Sequence, residues 1–328
     1  MRILVLGTGV IGTTYGYVLA QAGHDVRHFV RLCGESDRRP GTIPLRLLDG
    51  RTSQPHQIET TYEAHIVDTF TPADGYEVVL ASTKHYDLPA CLPRLAVGAG
   101  EADILLFNNW WETFESIDRQ LGGRYLWGFP VAGGGWQDGT LDAAILDHVE
   151  LGEPDDRDTP RRARVAACFA SAGLAVEQPI RMLDWLWVHF ATEAGLIASA
   201  IDAGNVDALL DDVGRLTQAV LAVRDALDVC RARGVEVDKV PDAQAFYAPA
   251  EMVAAGIQQF YAMSVPARRI LDRHTGVEEL KRIYHDVLAT GVELGVAMPR
   301  FAALAPVVDA WDGSARTTGD LVGATGRG

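Results

Sequence analysis

A glycine-rich turn near the start of the chain limits the possible folds more than any other pattern. The apolar run Ile3–Leu6 leads directly into the pattern G-x-G-x-x-G, and a helical stretch follows. In this setting Gly7 permits a tight turn, Gly9 lets the backbone approach a pyrophosphate, and Gly12 lets the helix pack on the strand. The helix N-terminus adds free N–H groups and the positive end of a dipole. The pattern predicts a dinucleotide site, the alternative being a glycine turn without a ligand, at Gly7, Thr8, Gly9, Val10, Ile11 and Gly12.

Strand-like and helix-like stretches alternate through the first half of the chain. Such alternation predicts right-handed crossovers and a mostly parallel sheet with helices on both faces. The turn sequence Gln137–Thr140 predicts a hairpin, so antiparallel strands should complete this sheet. The other predicted strands are Val26–Val30, Val78–Ala81 and Ile104–Phe107, and the predicted helices are Ile11–Ala22, Leu88–Leu95 and Thr113–Leu121.

The periodicity changes after about Pro179, where apolar residues recur at helical spacing and strand-like alternation is nearly absent. Long helices are predicted at Trp185–Ile201, Leu209–Arg233 and Val277–Leu294. We therefore predict an α/β protein with an N-terminal Rossmann domain over residues 1–180 and an all-α domain over 181–312. Residues 313–328 are rich in Gly, Thr and Ala and should form a flexible tail.

Net charge and cysteine spacing limit the partners and the location. With 29 basic and 44 acidic side chains, the formal net charge is −15, which repels phosphate backbones and anionic lipid. We expect a small-molecule substrate, and neither nucleic acid nor a membrane as a partner. The four cysteines lie far apart without a CxxC pair, which predicts reduced, independent thiols in a cytoplasmic protein. No set of residues has convincing metal-ligand spacing, so no metal is predicted.

The residue after the second predicted strand bears on the choice of cofactor. An NAD-specific site would carry Asp or Glu there to bind the ribose hydroxyls. This chain has Arg31, with Arg38 and Arg39 nearby, and a guanidinium group suits a 2′-phosphate. The sequence therefore favours NADPH/NADP, the alternative being that Arg31 is a solvated surface charge diluted by Glu35 and Asp37.

Several segments together resemble the ketopantoate reductase (2-dehydropantoate 2-reductase) family, over nearly the whole chain. The resemblance implies a Rossmann domain, a helical domain of the 6-phosphogluconate dehydrogenase type, and an active site between them. It also implies that NADPH donates hydride to the ketone of a 2-keto acid. The segments that carry it are Gly7–Gly12, Arg31, Ser82-Thr83-Lys84, Phe107-Asn108-Asn109, Leu186-Trp187, the Glu279 helix and Gly295-Val296-Ala297-Met298-Pro299.

The resemblance also implies roles for single residues. Lys84 would lie beside the nicotinamide and ribose, and Asn108 would hold the substrate or the nicotinamide end of the cleft. Glu279 matches an acidic residue that binds the substrate's hydroxyl group, and Ser264 matches a serine that binds the substrate carboxylate. Without the resemblance, Glu279 would be interpreted as an ordinary exposed acid on a helix.

The centre of the implied site departs from the family pattern. The family has a catalytic lysine two residues after the tryptophan of the Leu186-Trp187 helix, and an asparagine four residues later. This chain has His189 and Glu193 at those positions, and a second family asparagine falls on Ile197. Trp110-Trp111 replaces part of a small, glycine-containing turn, and one of these tryptophans is expected to narrow the cleft. We therefore expect a substrate other than ketopantoate.

The replacement suggests a mechanism. His189 and Glu193 are spaced i,i+4 and can touch on one helix face. A nearby carboxylate should raise the histidine pKa towards neutrality or above. The imidazolium could then donate a proton to the developing alkoxide while NADPH delivers hydride to carbon. The alternative is a hydrogen-bonded core histidine with Glu193 as its partner.

The main hypothesis is an NADPH-dependent reductase of a small carbonyl compound, a keto acid other than ketopantoate. One alternative is an opine-type enzyme, which condenses an amine with a keto acid by reduction of an imine. Another is a non-catalytic NADP-binding sensor, against which the retained Lys84, Asn108 and Glu279 argue. A homodimer through the helical domain is compatible with all three.

Overall fold

The computed structural model describes residues 1–30, 41–273 and 276–314 of the 328-residue chain. These residues form two compact units. The first unit comprises Met1–Leu183 with residues 266–273, and the second comprises Asp184–Val265 with residues 276–314. The domain limits of 180 and 312 remain predictions, and residues 315–328 of the predicted tail lie outside the described residues.

The first unit is built on one sheet, which has ten strands among the described residues. The strands are β1 (Arg2–Leu6), β2 (Asp25–Phe29), β3 (Thr42–Asp49), β4 (His56–Glu63), β5 (His65–Val67), β6 (Val78–Ala81), β7 (Asp103–Phe107), β8 (Tyr125–Gln137), β9 (Thr140–Gly152) and β10 (Ala175–Glu177).

The sheet has the order β4-β3-β9-β8-β7-β6-β1-β2-β5, and β10 pairs with β9. Strands β8, β7, β6, β1, β2 and β5 run parallel to one another, which confirms the predicted, mostly parallel sheet. The chain direction across the sheet reverses between β1 and β6, and ligands of such sheets bind at the carboxyl ends of the strands beside this point.

Helices account for most of the second unit. In chain order the helices of the protein are α1 (Val10–Gln21), α2 (Leu88–Gly98), α3 (Glu115–Leu121), α4 (Pro160–Ser171), α5 (Met182–Ala203), α6 (Val206–Leu210), α7 (Val213–Ala232), α8 (Pro241–Ala245), α9 (Ala250–Met263), α10 (Val265–Asp272), α11 (Val277–Glu293), α12 (Pro299–Ala302) and α13 (Ala305–Ala310).

The predicted hairpin is confirmed. Strands β8 and β9 pair antiparallel up to Gln137 and Thr140. Between them Asp138 and Gly139 have φ angles of +47° and +78°. Two successive residues with positive φ are typical of the tight turn that fits the right-handed twist of paired strands.

Several features of the chain were not predicted, among them the following two. Strands β3 and β4 extend the sheet beside β9, but β4 is polar and mostly exposed, so it lacks the apolar alternation of a half-buried strand. The helix predicted at Leu209–Arg233 is interrupted, because the Asp212 carboxylate accepts a hydrogen bond from the backbone N–H of Arg215 at 3.1 Å and starts α7 there.

The second unit packs around α5 and α7. Gly195 lets these two helices approach closely, since a Cβ atom there would lie 2.7 Å from the Val223 side chain. The buried Asp225 carboxylate caps α12 by accepting hydrogen bonds from the backbone N–H groups of Arg300 at 2.7 Å and Phe301 at 3.1 Å.

Cys168 and Cys230 are buried, free thiols. Burial raises the pKa of Cys168 to about 11 and that of Cys230 to about 12, so both stay protonated at neutral pH and are poor nucleophiles. Among the described residues, every helix is too short or too polar to cross a membrane.

The segment 266–273 belongs to the first unit although it follows α9 of the second. Its arginines surround the Asp142 carboxylate on β9, with Arg269 at 2.8 Å and Arg273 at 3.4 Å. Pro266 and Ile270 pack where Gly50 and Gly133 have no side chains. Because the Asp142 side chain is only 2% exposed, removal of this charge should cost more than removal of one partner of a surface ion pair.

We expect Asp142→Asn to lower the free energy of unfolding by about 2 kcal/mol, because it removes a buried charge that pairs with Arg46, Arg269 and Arg273. The matched control is Asp147→Asn on the same strand, whose side chain is 67% exposed and which should cost less than about 0.5 kcal/mol. Urea unfolding measures both values. Equal values for the two variants would contradict this account of the segment.

Candidate active site

The glycine turn has the geometry that the sequence pattern predicts. Gly7 follows β1 with a φ of +94°, which excludes most other residues, and its N–H donates to the carbonyl of Phe29 on β2 at 2.8 Å. A Cβ atom on Gly12 would lie 2.9 Å from the carbonyl oxygen of Gly7 and 2.9 Å from Oγ of Ser82. Gly12 is therefore required by internal packing between the turn and α1.

Gly9 has no such internal reason to be glycine. It caps the N-terminus of α1 with a φ of −69°, and nothing described in the protein lies within 4 Å of a Cβ atom built there. An alanine would fit both the backbone and the space. A glycine at this point is explained by a ligand that approaches the backbone from outside the protein, as a pyrophosphate does. The first turn of α1 carries no acidic residue that would compete with an anion.

Asn108 is the second sign of a ligand. It follows β7 and is only 6% exposed, yet its amide nitrogen and oxygen make no hydrogen bond with any described residue. A buried amide group without partners costs about 1–3 kcal/mol, and such groups usually mark a bound water, ion or ligand. Since β1, β6 and β7 are parallel, Asn108 lies at the same sheet edge as the glycine turn.

Lys84 lies at that edge as well, in the segment after β6. Its side chain is exposed, and its carbonyl accepts a hydrogen bond from the N–H of Leu88 at 3.1 Å, which fixes the backbone before α2. Ser82 in the same segment donates from Oγ to the carbonyl of Leu6 at 3.3 Å and so joins the ends of β6 and β1. The structure thus places Gly7–Gly12, Lys84 and Asn108 along one edge of the sheet.

The tryptophans after Asn108 serve packing within the first unit. The Trp127 indole N–H donates to the carbonyl of Asn108 at 3.1 Å, and Trp110 packs against Trp127 with a ring-centre distance of 5.5 Å. Trp110 and Trp111 are both buried. These contacts hold the backbone of Asn108, a role that the sequence did not indicate for Trp110.

The residues predicted to select the cofactor fall outside the described part of the chain. Arg31, Arg38 and Arg39 all lie in the segment 31–40. The preference for NADPH therefore remains a prediction from the sequence.

In the second unit, His189 and Glu193 lie on one face of α5, as their spacing predicts. Nε2 of His189 is 3.8 Å from the Glu193 carboxylate, within ion-pair distance but longer than a hydrogen bond. On the other side, the Trp185 ring stacks on the His189 ring at a centre distance of 5.0 Å and an angle of 12°. The i,i+4 spacing of Trp185 and His189 is the local sequence pattern that predicts this ring contact, which was not among the predictions above.

The expected direction of the His189 pKa is wrong. The Glu193 carboxylate, and after it Asp242, do act to raise the pKa, but burial lowers it more, so the net shift is downward. This occurs although 33% of the His189 side chain is exposed. Desolvation disfavours the charged imidazolium, and a carboxylate at 3.8 Å without a hydrogen bond does not compensate for it. The imidazole is thus mainly neutral at pH 7.

The remaining predicted residues lie elsewhere on the second unit. Glu279 is half-buried in the first turn of α11, next to the buried face formed by Leu280 and Ile283. Ser264 ends α9 and donates its backbone N–H to the carbonyl of Phe260 at 2.9 Å. Near Ser264, burial and the charge of Glu193 raise the pKa of the Tyr261 hydroxyl group. The end of α9 therefore lies close enough to Glu193, the acidic partner of His189, to feel its charge.

One group outside these residues has the composition of a metal site. His148, Glu150 and Glu177 lie on the adjacent strands β9 and β10, with their candidate ligand atoms within 4.8 Å of one another. His189 and Glu193 do not belong to this group. No local sequence pattern indicates this group, because Glu177 is distant along the chain and is brought beside Glu150 by the sheet register.

Known proteins share both the sequence pattern and the fold. Residues 3–153 match the model of the family described as Ketopantoate reductase PanE/ApbA. The predicted family resemblance is confirmed. Among curated proteins, none matches the chain.

Solved structures extend the likeness to nearly the whole chain. A 2-dehydropantoate 2-reductase from Geobacter metallireducens GS-15 is 20% identical, with a TM-score of 0.66 over 94% of this chain and 99% of that one. A D-mandelate dehydrogenase in complex with NADH and anilino(oxo)acetate is 15% identical, with a TM-score of 0.68 over 94% and 97%. A dimeric ketopantoate reductase from Staphylococcus aureus is 14% identical, with a TM-score of 0.64 over 95% and 100%.

At these sequence identities, the structural similarity shows that this chain has the same fold as the three solved structures. It agrees with the predicted class, an oxidoreductase acting on a CH–OH or C=O group, since the similar proteins are named as reductases and dehydrogenases of this kind.

The glycine geometry gives a direct test of the dinucleotide site. We expect Gly9→Ala to unfold at the same or a slightly higher denaturant concentration than the wild type, because φ at Gly9 suits alanine. Its affinity for NADPH or NADH should fall at least about tenfold, because the added methyl group occupies the ligand's side of the turn. Fluorescence titration and urea unfolding measure the two quantities.

Two further glycine variants serve as controls. Gly12→Ala should lose stability as well as affinity, since its Cβ atom meets the protein itself. Gly256→Ala, in α9 with open space around it, should keep both. A Gly9→Ala protein that binds dinucleotides as tightly as the wild type would contradict a ligand at this turn.

Proposed function

We propose that this protein is an NADPH-dependent reductase of a small 2-keto acid other than ketopantoate, with His189 as the proton donor. The observation that carries the proposal is the pair of His189 and Glu193 on α5, where the family pattern has a lysine and an asparagine. The glycine turn with the unpartnered Asn108 amide supports a nucleotide-dependent reaction.

The first unit supplies the cofactor residues. The backbone of the glycine turn would bind the pyrophosphate, and Lys84 and Asn108 would bind the nicotinamide end. Arg31 would bind the 2′-phosphate that distinguishes NADPH from NADH. When bound, the cofactor supplies the hydride for the carbonyl carbon. A D-mandelate dehydrogenase of the same fold holds NADH, and a comparison of NADPH with NADH therefore tests the role of Arg31.

The second unit supplies the acid–base chemistry. As a ketone is reduced, charge develops on its oxygen, and the His189 imidazolium would donate a proton to that oxygen. Glu193 favours the protonated ring by its charge, and the stacked Trp185 holds the plane of the ring. Glu279 would bind the hydroxyl group, and Ser264 the carboxylate. Since burial keeps the pKa of His189 low, the imidazolium is the minor form at pH 7, and reduction should be faster at lower pH.

One of the similar proteins suggests which kind of 2-keto acid takes the place of ketopantoate. The D-mandelate dehydrogenase holds anilino(oxo)acetate, an oxo acid with an aromatic ring. An aromatic or otherwise bulky apolar 2-keto acid is therefore our first choice. We further propose a homodimer, which the dimeric ketopantoate reductase from Staphylococcus aureus supports, and a cytoplasmic location, with neither nucleic acid nor a membrane as a partner.

His189→Ala should lower kcat of keto acid reduction by about 10²- to 10⁴-fold, the usual contribution of a positioned general acid. The Kd for NADPH should stay within about twofold, because the proposed cofactor residues lie in the first unit. Wild-type kcat should fall as pH rises from about 6 to about 9, since the imidazolium fraction falls above the lowered pKa.

The control is His285→Ala on α11, whose imidazole pairs with Asp309 at 2.8 Å and has no proposed role. It should keep both kcat and the pH profile of the wild type, whereas His189→Ala should have a flat profile. Wild-type turnover in His189→Ala would end the assignment of His189.

A substrate panel separates the candidate functions. We expect NADPH oxidation with phenylglyoxylate at a kcat/KM at least about tenfold above that with ketopantoate, and a weaker response with NADH. Turnover that appears only when an amine is added with the keto acid would favour an opine-type enzyme instead. Tight NADPH binding without turnover of any carbonyl or carbonyl–amine mixture would favour a non-catalytic sensor.

A further inference from the structure

A buried histidine lies directly behind the glycine turn. His28, on β2, is 0% exposed, and its Nδ1 atom is 2.9 Å from the carbonyl oxygen of Gly7. Its Nε2 atom is 2.9 Å from the hydroxyl group of Tyr62 on β4. Neither His28 nor Tyr62 has a role in the chemistry proposed above.

The hydrogen-bond partners fix the state of this imidazole. A carbonyl oxygen only accepts, so Nδ1 must carry the hydrogen that it donates to Gly7. In the neutral ring Nε2 is then the acceptor, and the Tyr62 hydroxyl donates to it. Burial lowers the pKa of His28, although the hydrogen bond to Gly7 opposes this, and burial raises the pKa of Tyr62. Both groups therefore stay neutral around pH 7.

The sequence makes room for this arrangement at a distant position. A Cβ atom on Gly16 of α1 would lie 2.6 Å from both Cε1 and Nε2 of His28. Any larger residue at Gly16 would push the imidazole away from the turn. Gly16, His28 and Tyr62 thus form one packed set, which the hydrogen bond from His28 to Gly7 joins to the turn.

The hydrogen bond between His28 and the Gly7 carbonyl fixes the direction of the Thr8 N–H group in the proposed dinucleotide site. The Gly7 carbonyl and the Thr8 N–H belong to one planar peptide, and the peptide bonds described in the chain are trans. When His28 holds the carbonyl towards β2, the Thr8 N–H must point the opposite way. Gly7 itself is held on its other side by the bond from its N–H to Phe29, so the rotation of this peptide plane is restrained from both ends.

We propose that His28 is a positioning residue for the dinucleotide, and that it orients the Gly7–Thr8 peptide with Tyr62 as its support. The inference rests on the proposed nucleotide-dependent function. It predicts that the His28–Tyr62 pair changes cofactor affinity, whereas a pair that only fills the core would change stability alone. The two explanations therefore differ in a measurable quantity.

The experiment uses a graded set of variants, each titrated with NADPH by fluorescence without substrate. His28→Leu removes both hydrogen bonds at similar volume and should raise the Kd about tenfold, as the loss of one oriented donor group would. His28→Asn can place an amide N–H near the Nδ1 position and should recover part of that loss. Tyr62→Phe keeps the aromatic ring and removes only the hydroxyl group that donates to His28, so the Kd for NADPH should rise about two- to fivefold.

The matched control is Tyr284→Phe, which removes a buried hydroxyl group that donates to the carbonyl of Phe301 at 2.7 Å in the second unit. It should lower the unfolding temperature as Tyr62→Phe does, but leave the Kd unchanged. If His28→Leu and Tyr62→Phe lower the unfolding temperature and bind NADPH like the wild type, the role is structural only and the proposal is wrong.

Amide hydrogen exchange makes the test independent of catalysis. In the protein without cofactor, the Thr8 and Gly9 amides should exchange faster in His28→Leu than in the wild type, while amides of α7 in the second unit should not change. A wild type that binds no dinucleotide would overturn the proposed function, yet the exchange of Thr8 would still report whether His28 holds the turn. Unchanged exchange at Thr8 and Gly9 would overturn the link itself.

Discussion

The close approach of the first helix to the first strand is the constraint on which the nucleotide half of this protein depends. The chain must turn within Gly7–Gly12 so that α1 can return across the sheet, and Gly12 has no room for a side chain. The turn is held in place by β2, through the Gly7 N–H and the Gly7 carbonyl. The direction of its N–H groups therefore depends on strand pairing and not on the turn alone.

In the second unit, the proposed proton donor depends on a balance between burial and charge. At His189, burial and nearby carboxylates act on the same proton in opposite directions, and burial has the larger effect. A lysine at this position would carry its charge over the whole neutral range, whereas a histidine whose pKa is lowered by burial is mainly neutral at pH 7. The replacement thus makes the proposed reaction sensitive to pH and also supplies a neutral base for the reverse reaction, oxidation of a hydroxy acid.

The proposed site combines residues that match the family pattern described above with one centre that departs from it. The glycine turn, Lys84 and Asn108 match the residues of the predicted family resemblance, and the structure puts all three at one sheet edge. On α5, by contrast, this chain has His189 and Glu193 at the positions where the resemblance implies a lysine and an asparagine. A histidine beside a carboxylate can still transfer a proton. The proposed site therefore keeps a proton donor, but the donor is an imidazolium and not a lysine ammonium group.

The sequence determined the elements whose signals are local. The apolar runs of β1, β2, β6 and β7, the hairpin at Asp138-Gly139 and the i,i+4 pair on α5 all follow from neighbouring residues, because backbone geometry repeats over short spacings. Tertiary structure alone decided what depends on distant partners. The polar edge strand β4 forms because β3 pairs with it, and residues 266–273 join the first unit because Asp142 holds their arginines. The direction of the His189 pKa and the His28–Tyr62 support behind Gly7 arise from burial, a property of the folded chain that no local pattern records.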